Sequence, residues 1–348
     1  MYQPPYEITS KIVEYISLIS EKVGEIRSLQ NSPASVKLRR ENRIKTIHSS
    51  LAIENNTLSM EQITAIIEGK KVLGSPREIT EVKNAIETYE LLLELDPFSE
   101  ADLLHAHKLM MCNLVDTCGK YRSDSVGIFD GQRVVHVAPP AARVPLLMQD
   151  LFDWLAQSDA HPLIKSCVFH YEFEFIHPFQ DGNGRIGRLW QTVILKNWRE
   201  IFAWLPTETL VMENQKQYYN ALGASDKDAS STKFTEFMLS IILKTIEEVI
   251  ESEKTAEKVT IKVTKKVTEK VTIKVTNNQK KILLAVEKDP HITQAQLAQV
   301  VGISRKSIIS NMKKLSDSGI ISRVGSNRQG YWRLETKSWK KQQQDEKQ

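Results

Sequence analysis

Cysteine is scarce in this chain, with Cys112, Cys118 and Cys167 the only three in 348 residues. They form no C-x-x-C pair and have no metal-ligand spacing, which fits reduced thiols in a cytosolic protein. Long apolar runs are lacking too. No stretch approaches the ~20 residues that cross a bilayer. The N-terminus MYQPPYEITSKI has neither the basic nor the apolar region of a secretory signal. The expectation is a cytoplasmic protein with no membrane partner. Net charge is small, +4, but unevenly distributed: Glu253 to Gln348 hold 21 Lys and Arg against 9 Asp and Glu, and the preceding residues hold 26 against 34. Only the C-terminal part carries an excess that would draw a polyanion.

With 41% hydrophobic and 26% charged residues, the chain is ordinary for a globular protein and long enough for two or three domains. Residues 1–250 read as mostly helical. EITSKIVEYISLISEKVGEIRSL, TEVKNAIETYELLLEL, VPLLMQDLFDWLAQS and TKFTEFMLSIILKTIEEVIES carry apolar residues at three- and four-residue spacing, and SEADLLHAHKLMMCNL opens on Ser99 as a helix cap. The exception is 120–140, where β-branched residues flank Asp130-Gly131 and end in Pro-Pro, the pattern of a hairpin.

Residues 258–276, KVTIKVTKKVTEKVTIKVT, repeat Val-Thr every four positions. The apolar residues all fall on odd positions, which suits a strand, while the period of four also makes a helical stripe. Because Val and Thr favour strands, the expectation is a low-complexity linker with a strand or hairpin. Residues 278–335 then run helix, helix, glycine turn, helix and two short strands, the order of a winged helix-turn-helix.

The densest chemistry lies in HPFQDGNGRIGR, residues 177–188. Gly182 and Gly184 flank Asn183 in a tight turn that leads into a helix, and such a turn presents free N–H groups and the positive end of a helix dipole to phosphate. Arg185 and Arg188, three residues apart, add guanidinium forks near one face of the first turn. Asp181 is a hard oxygen ligand suited to Mg²⁺. His177 titrates near neutrality and is the natural general base. Together they describe phosphoryl-type transfer.

HPFQDGNGR, with Arg188 following, matches the Fic family signature HxFx(D/E)GNGRxxR at every defined position. The resemblance runs from about residue 40 to 245 and includes GKYRSDSVGI, VHVAPPAARVPLLMQDLFDWL and YYNALGASDKDASSTKFTEFML. It implies transfer of AMP from ATP to a Ser, Thr or Tyr hydroxyl of a target protein, with release of pyrophosphate. His177 would deprotonate the hydroxyl and Asp181 would hold Mg²⁺. Asn183, Arg185 and the Gly182 and Gly184 backbone would hold the α- and β-phosphates, and Arg188 the γ-phosphate. Phe179 would anchor the loop. The hairpin around Val134, Val135 and His136 resembles the family's flap, which registers a target segment by strand addition. Tyr218 and Tyr219, with Asn220, would border the adenine and ribose.

Residues 50–55, Ser-Leu-Ala-Ile-Glu-Asn, resemble the family's inhibitory motif (S/T)xxxE(G/N). Glu54 would pair with Arg188 where the γ-phosphate should sit, and Ser50 would hydrogen-bond the same cluster. Nucleotide phosphates would then be misplaced for in-line attack. A role for Glu54 in positioning water to remove AMP stays open.

The expected fold is mainly α, a helical Fic core with a β-hairpin flap and a small C-terminal winged helix. Its divisions are a helical region with the inhibitory motif at 1–100, the Fic domain at 101–250, the linker at 251–277, the winged helix at 278–335 and a tail at 336–348. DNA is the expected partner of the winged helix. Arg305, Lys306, Ser307, Ser310 and Asn311 would lie on the recognition helix, with Arg323 and Arg328 beside the wing. A homodimer and a monomer both fit the sequence. Two functions remain: an autoinhibited AMP transferase, and a DNA-binding regulator whose Fic domain only senses nucleotide. His177 and Asp181 favour the first, since a sensor needs phosphate contacts but no base.

Overall fold

The computed structural model describes residues 2–29, 33–124, 127–130, 133–270, 276–318, 320–324 and 330–334, with the side chains at 27–38, 125–136, 253 and 255–275 outside that description. The chain divides into two compact units, Met1–Val259 and Thr260–Gln348. Among the described residues are fourteen α-helices and two antiparallel pairs of strands. None of these helices is long and apolar enough to cross a membrane.

The first unit is built on two antiparallel helices, α7 (Pro162–Ile176) and α8 (Asn183–Trp198). Pro162 starts α7 at a position where a missing N–H costs nothing. Almost every α7 side chain is buried, so this helix lacks a solvent face and forms the centre of the core. Gly187 lets the pair approach closely, because a Cβ there would stand 2.9 Å from Glu174 Oε1 and 3.1 Å from His170 Cδ2.

The other helices of this unit are α1 (Ser10–Leu29), α2 (Pro33–Ile53), α3 (Met60–Ile67), α4 (Pro76–Glu90), α5 (Glu100–Met110), α6 (Val144–Gln157), α9 (Thr207–Glu213), α10 (Gln215–Asp228) and, as far as Val259, α11 (Thr232–Lys270). Ser99 caps α5 as the sequence predicts, its side chain accepting from Asp102 N–H. The hairpin also forms, from β1 (Gly127–Asp130) and β2 (Arg133–Val137), with a register shift between Ile128 and Phe129 that skips Val135. At the N-terminus, Pro5 O accepts from Ser231 N–H at 2.9 Å and Tyr2 donates to Glu172 at 2.7 Å, tying the first residues to the core.

The repeat departs from its expectation. Its backbone is helical as far as Lys270, and residues 271–275 lie outside the described residues. A strand here would need a partner for its backbone groups. A helix satisfies them internally, and the four-residue period of valine supplies a helical stripe.

The second unit contains α12 (Asn277–Lys288), α13 (Gln294–Val301), α14 (Arg305–Asp317), β3 (Ile321–Val324) and β4 (Tyr331–Leu334). Its core includes Ile282, Val286, Leu297, Ile308, Met312 and Leu315. Gly302, at φ 77°, makes the left-handed turn between α13 and α14. Ser304 caps α14, on which Arg305, Lys306, Ser307 and Ser310 are exposed and Asn311 is half-buried. Arg323 lies over the Trp332 ring at 4.8 Å. Arg328 lies outside the described residues.

Candidate active site

The turn between α7 and α8 is held from several sides. His177 ends α7 in the left-handed region, φ 50° and ψ 60°, its N–H donating to Phe173 O at 2.9 Å. Phe179 is fully buried and stacks on His107, the ring centroids 3.6 Å apart and the planes at 5°. Asn183 closes the turn on Phe179, accepting from its N–H at 2.9 Å and donating to its carbonyl at 2.8 Å. The Asn183 side chain is therefore occupied by the turn's own backbone. Gly182 has φ 88° and packs on Met111, whose Sδ would be 2.7 Å from a Cβ.

His107 is a support that the sequence does not single out. Its Nδ1 accepts from Gly119 N–H at 2.8 Å, so the ring proton is on Nε2, which donates to Asp181 O at 3.0 Å. Burial lowers its pKa to about 4, keeping the ring neutral. His177 Nδ1 faces Glu174 O at 3.4 Å, which favours the tautomer with its lone pair on Nε2.

The charged groups form two clusters. Asp181 Oδ1 accepts from Gly182 N–H at 2.6 Å and from Arg185 at 2.8 Å, and its Oδ2 pairs with the exposed Arg77 at 3.3 Å. Glu81 approaches Arg185 at 3.8 Å. Among the described residues no group of three or more His, Cys, Asp or Glu could hold a metal, so a metal here would rely on Asp181 and its own phosphate and water ligands.

In the second cluster, Arg188 donates to Glu54 Oε1 at 2.8 Å, to Ser50 O at 2.9 Å and to Ser50 Oγ at 3.3 Å. Burial by itself would lower the Arg188 pKa, but the Glu54 carboxylate, with Tyr218 and Glu174, outweighs it and raises it further. The same Glu54 oxygen occupies the space of a Cβ on Gly184. The carboxylate thus lies over the first turn of α8, against the glycine turn.

Helix-end geometry brings Glu54 there. Asn55 adopts φ 68°, a left-handed stop that Gly or Asn makes best, and Asn56 N–H returns to Leu51 O at 3.1 Å. Gln215 of α10 donates to Ile53 O at 3.0 Å, and Asn56 donates to Glu81 at 2.8 Å. The end of α2 is thus tied to α10 and α4.

Tyr218 departs from its expected place beside the nucleotide. It is 1% exposed, and its hydroxyl contacts His170 Nε2 at 3.1 Å. His170 Nδ1 pairs with Gln191 at 2.6 Å, and burial lowers the His170 pKa to about 3. This packing makes Tyr218 a core residue under the site. Tyr219 is half exposed, and Asn220 is exposed. Val134, Val135 and His136 are placed on β2 by backbone, and their side chains lie outside the described residues. Behind Arg188 a small cavity is lined also by Gln191, Thr192 and Glu208. Burial raises the Glu208 pKa to about 7.

Comparison with known proteins agrees with this geometry. Residues 97–195 match the Fic/DOC family, and residues 276–322 match a winged helix-turn-helix DNA-binding family. The protein adenylyltransferase fic-1 of Caenorhabditis elegans is 30% identical over 209 residues, covering 57% of this chain and 39% of that protein. The protein adenylyltransferase Fic of Nematostella vectensis is 27% identical over 253 residues, covering 67% and 55%. The chain therefore spans only about two-fifths to just over half the length of these curated relatives. Among solved structures, Fic-1 from C. elegans superposes with a TM-score of 0.60 at 25% identity, covering 70% of this chain and 73% of that one. A Fic family protein from Desulfovibrio desulfuricans G20 superposes with a TM-score of 0.69 at 44% identity, covering 96% of this chain and 98% of that one. On this near full-length match, and on a site that holds every defined residue of the signature, the chain belongs to the Fic family.

Proposed function

We propose that the chain is a protein adenylyltransferase held in check by Glu54. The observation that carries this reading is the Glu54 carboxylate, an anion seated at the glycine turn of α8 and paired with Arg188 at 2.8 Å. A site that receives a carboxylate in this way suits a phosphate. In the reaction, the target hydroxyl attacks the α-phosphorus of ATP and His177 Nε2 takes its proton. The new O–P bond forms as the bond to the β-phosphate oxygen breaks, and pyrophosphate leaves.

The α8 N-terminal amides and Arg185 bind the α- and β-phosphates, and Arg188 binds the γ-phosphate once Glu54 withdraws. Mg²⁺, when bound, neutralises phosphate charge. Asp181 Oδ2 is the oxygen that would hold it, since its partner Arg77 is exposed and easily displaced. The β1–β2 hairpin receives an extended target segment along β2, and Tyr219 borders the base. The relatives named adenylyltransferases support this assignment. The three free cysteines fit a cytoplasmic protein.

The experiment is transfer of label from α-³²P-ATP with Mg²⁺, with and without cell lysate, by wild type, Glu54→Gly and Glu54→Gly/His177→Ala. Label on protein only with Glu54→Gly supports the reading. ATP binding without labelling by any variant counts against it and favours a nucleotide-sensing regulator.

For the second unit we propose DNA binding through α14, supported by the family match and by exposed Arg305 and Lys306 at its start.

A further inference from the structure

Arg122 lies between α5 and β1. It is 4% exposed, and its guanidinium donates to four backbone carbonyls. Nε reaches His177 O at 2.8 Å, Nη1 reaches Asp124 O at 2.8 Å, and Nη2 reaches Pro139 O at 2.6 Å and Ile176 O at 3.2 Å. Its own N–H donates to Pro178 O at 2.9 Å. One residue therefore holds three consecutive carbonyls, 176 to 178, at the point where α7 ends.

Carbonyls at a helix C-terminus lack intrahelical donors and lie at the negative end of the dipole, so a buried cation is well placed there. The planar guanidinium reaches several acceptors at once, which an ammonium does not do in one geometry. His177 also has φ 50°. A left-handed non-glycine residue persists where its surroundings over-determine it, and Arg122 is part of that restraint. Asp124 precedes β1 and Pro139 follows β2, so the other two bonds grip both legs of the hairpin.

We infer that Arg122 is a positioning residue for the transfer reaction: it holds the left-handed backbone of His177 and joins it to both legs of the hairpin, so that the base and a target segment laid along β2 keep one separation. The inference rests on the transferase reading for its functional half. Its structural half stands independently.

The test uses the full chain in the Glu54→Gly background, with Arg122→Ala and Arg122→Lys. Hydrogen exchange is followed for the β1 and β2 amides and for the His177 N–H. Mg-ATP affinity, label transfer from α-³²P-ATP to the chain itself, and the melting temperature are measured on the same proteins. In Arg122→Ala, exchange at the hairpin and at His177 should accelerate together by about tenfold or more, the loss of some 1.4 kcal/mol of protection, while α8 amides stay unchanged. Self-labelling should fall at least as far with Mg-ATP affinity kept within about twofold. Millimolar methylguanidine should restore part of it, and Arg122→Lys should recover little.

Acceleration at only one of the two segments, or at neither, overturns the inference. So does a loss of labelling that merely tracks nucleotide affinity or melting and is not rescued. If the Glu54→Gly parent labels nothing, the transferase reading fails, and the exchange data alone decide whether Arg122 joins the two segments.

Discussion

Glu54 and Arg188 stand 2.8 Å apart across the first turn of α8, with Gly184 beneath the carboxylate. Arg188 is 3% exposed and Glu54 33%, so the carboxylate has access to solvent while the guanidinium does not. Withdrawing Glu54 alone would leave a buried guanidinium unpaired, which is costly. An anion that takes its place removes that cost, so on the proposed reading Glu54 and the γ-phosphate compete for one partner.

Glu54→Gly is therefore expected to raise transfer by about 100-fold, the scale on which a misplaced reacting group reduces rate. Radiolabel transfer with saturating ATP measures it. An unchanged rate would mean that Glu54 does not restrain the reaction.

The two motif glycines on α8 should differ. Gly184 faces the Glu54 carboxylate, so in the wild type Gly184→Ala should displace that carboxylate from the buried Arg188 and lower the melting temperature. In the Glu54→Gly background it should leave melting nearly unchanged and, on the proposed reading, weaken ATP binding. Gly187 faces α7, where a Cβ would meet Glu174 and His170. Gly187→Ala should cost about 1–3 kcal/mol by overpacking. Calorimetry and nucleotide titration separate the two.

Glu208 should make stability depend on pH. Its carboxyl is raised from 4.5 to about 7 by burial, so the folded chain binds this proton more tightly than the unfolded one. The contribution is full below 4.5 and is lost as pH rises through about 7. Glu208→Gln resembles the protonated form. Its melting temperature relative to wild type should therefore be more favourable at pH 8 than at pH 5, by roughly 5 °C or more. His107 and His170 act in the opposite sense as pH falls from 6.5, but they are common to both proteins and cancel in the difference. A difference that is flat with pH would contradict this account.

DNA binding by the full chain should weaken steeply with salt. Replacing both Arg305 and Lys306 by Ala should reduce the log–log slope by about 1 for each of the two that neutralises a phosphate. Gel shift at several salt concentrations reads it. Binding without salt dependence would exclude a phosphate-driven interaction.

Much of this is legible in the residues. Helix periodicity, the Ser99 cap, the paired strands at Gly127–Asp130 and Arg133–Val137 and the winged-helix order are local patterns, and each forms where expected. The motif 177–188 is legible because its chemistry is contiguous. The Val-Thr repeat misleads because strand propensity and a four-residue helical stripe compete within the same residues. Tyr218 misleads because two adjacent tyrosines on a helix face different ways, one into the core and the other toward solvent.

The sequence by itself determined which groups the loop carries: a glycine turn before a helix, two arginines, an acid and a histidine, with a segment upstream that resembles the family's inhibitory motif. The tertiary structure decided which groups meet. Glu54 and Arg188 are 134 residues apart in sequence, and Arg122 and His177 are 55 apart. His107 is a support only because α5 brings it against Phe179. Local pattern follows from backbone geometry over a few residues, whereas these pairings depend on how whole helices pack, and no short stretch of sequence carries that information.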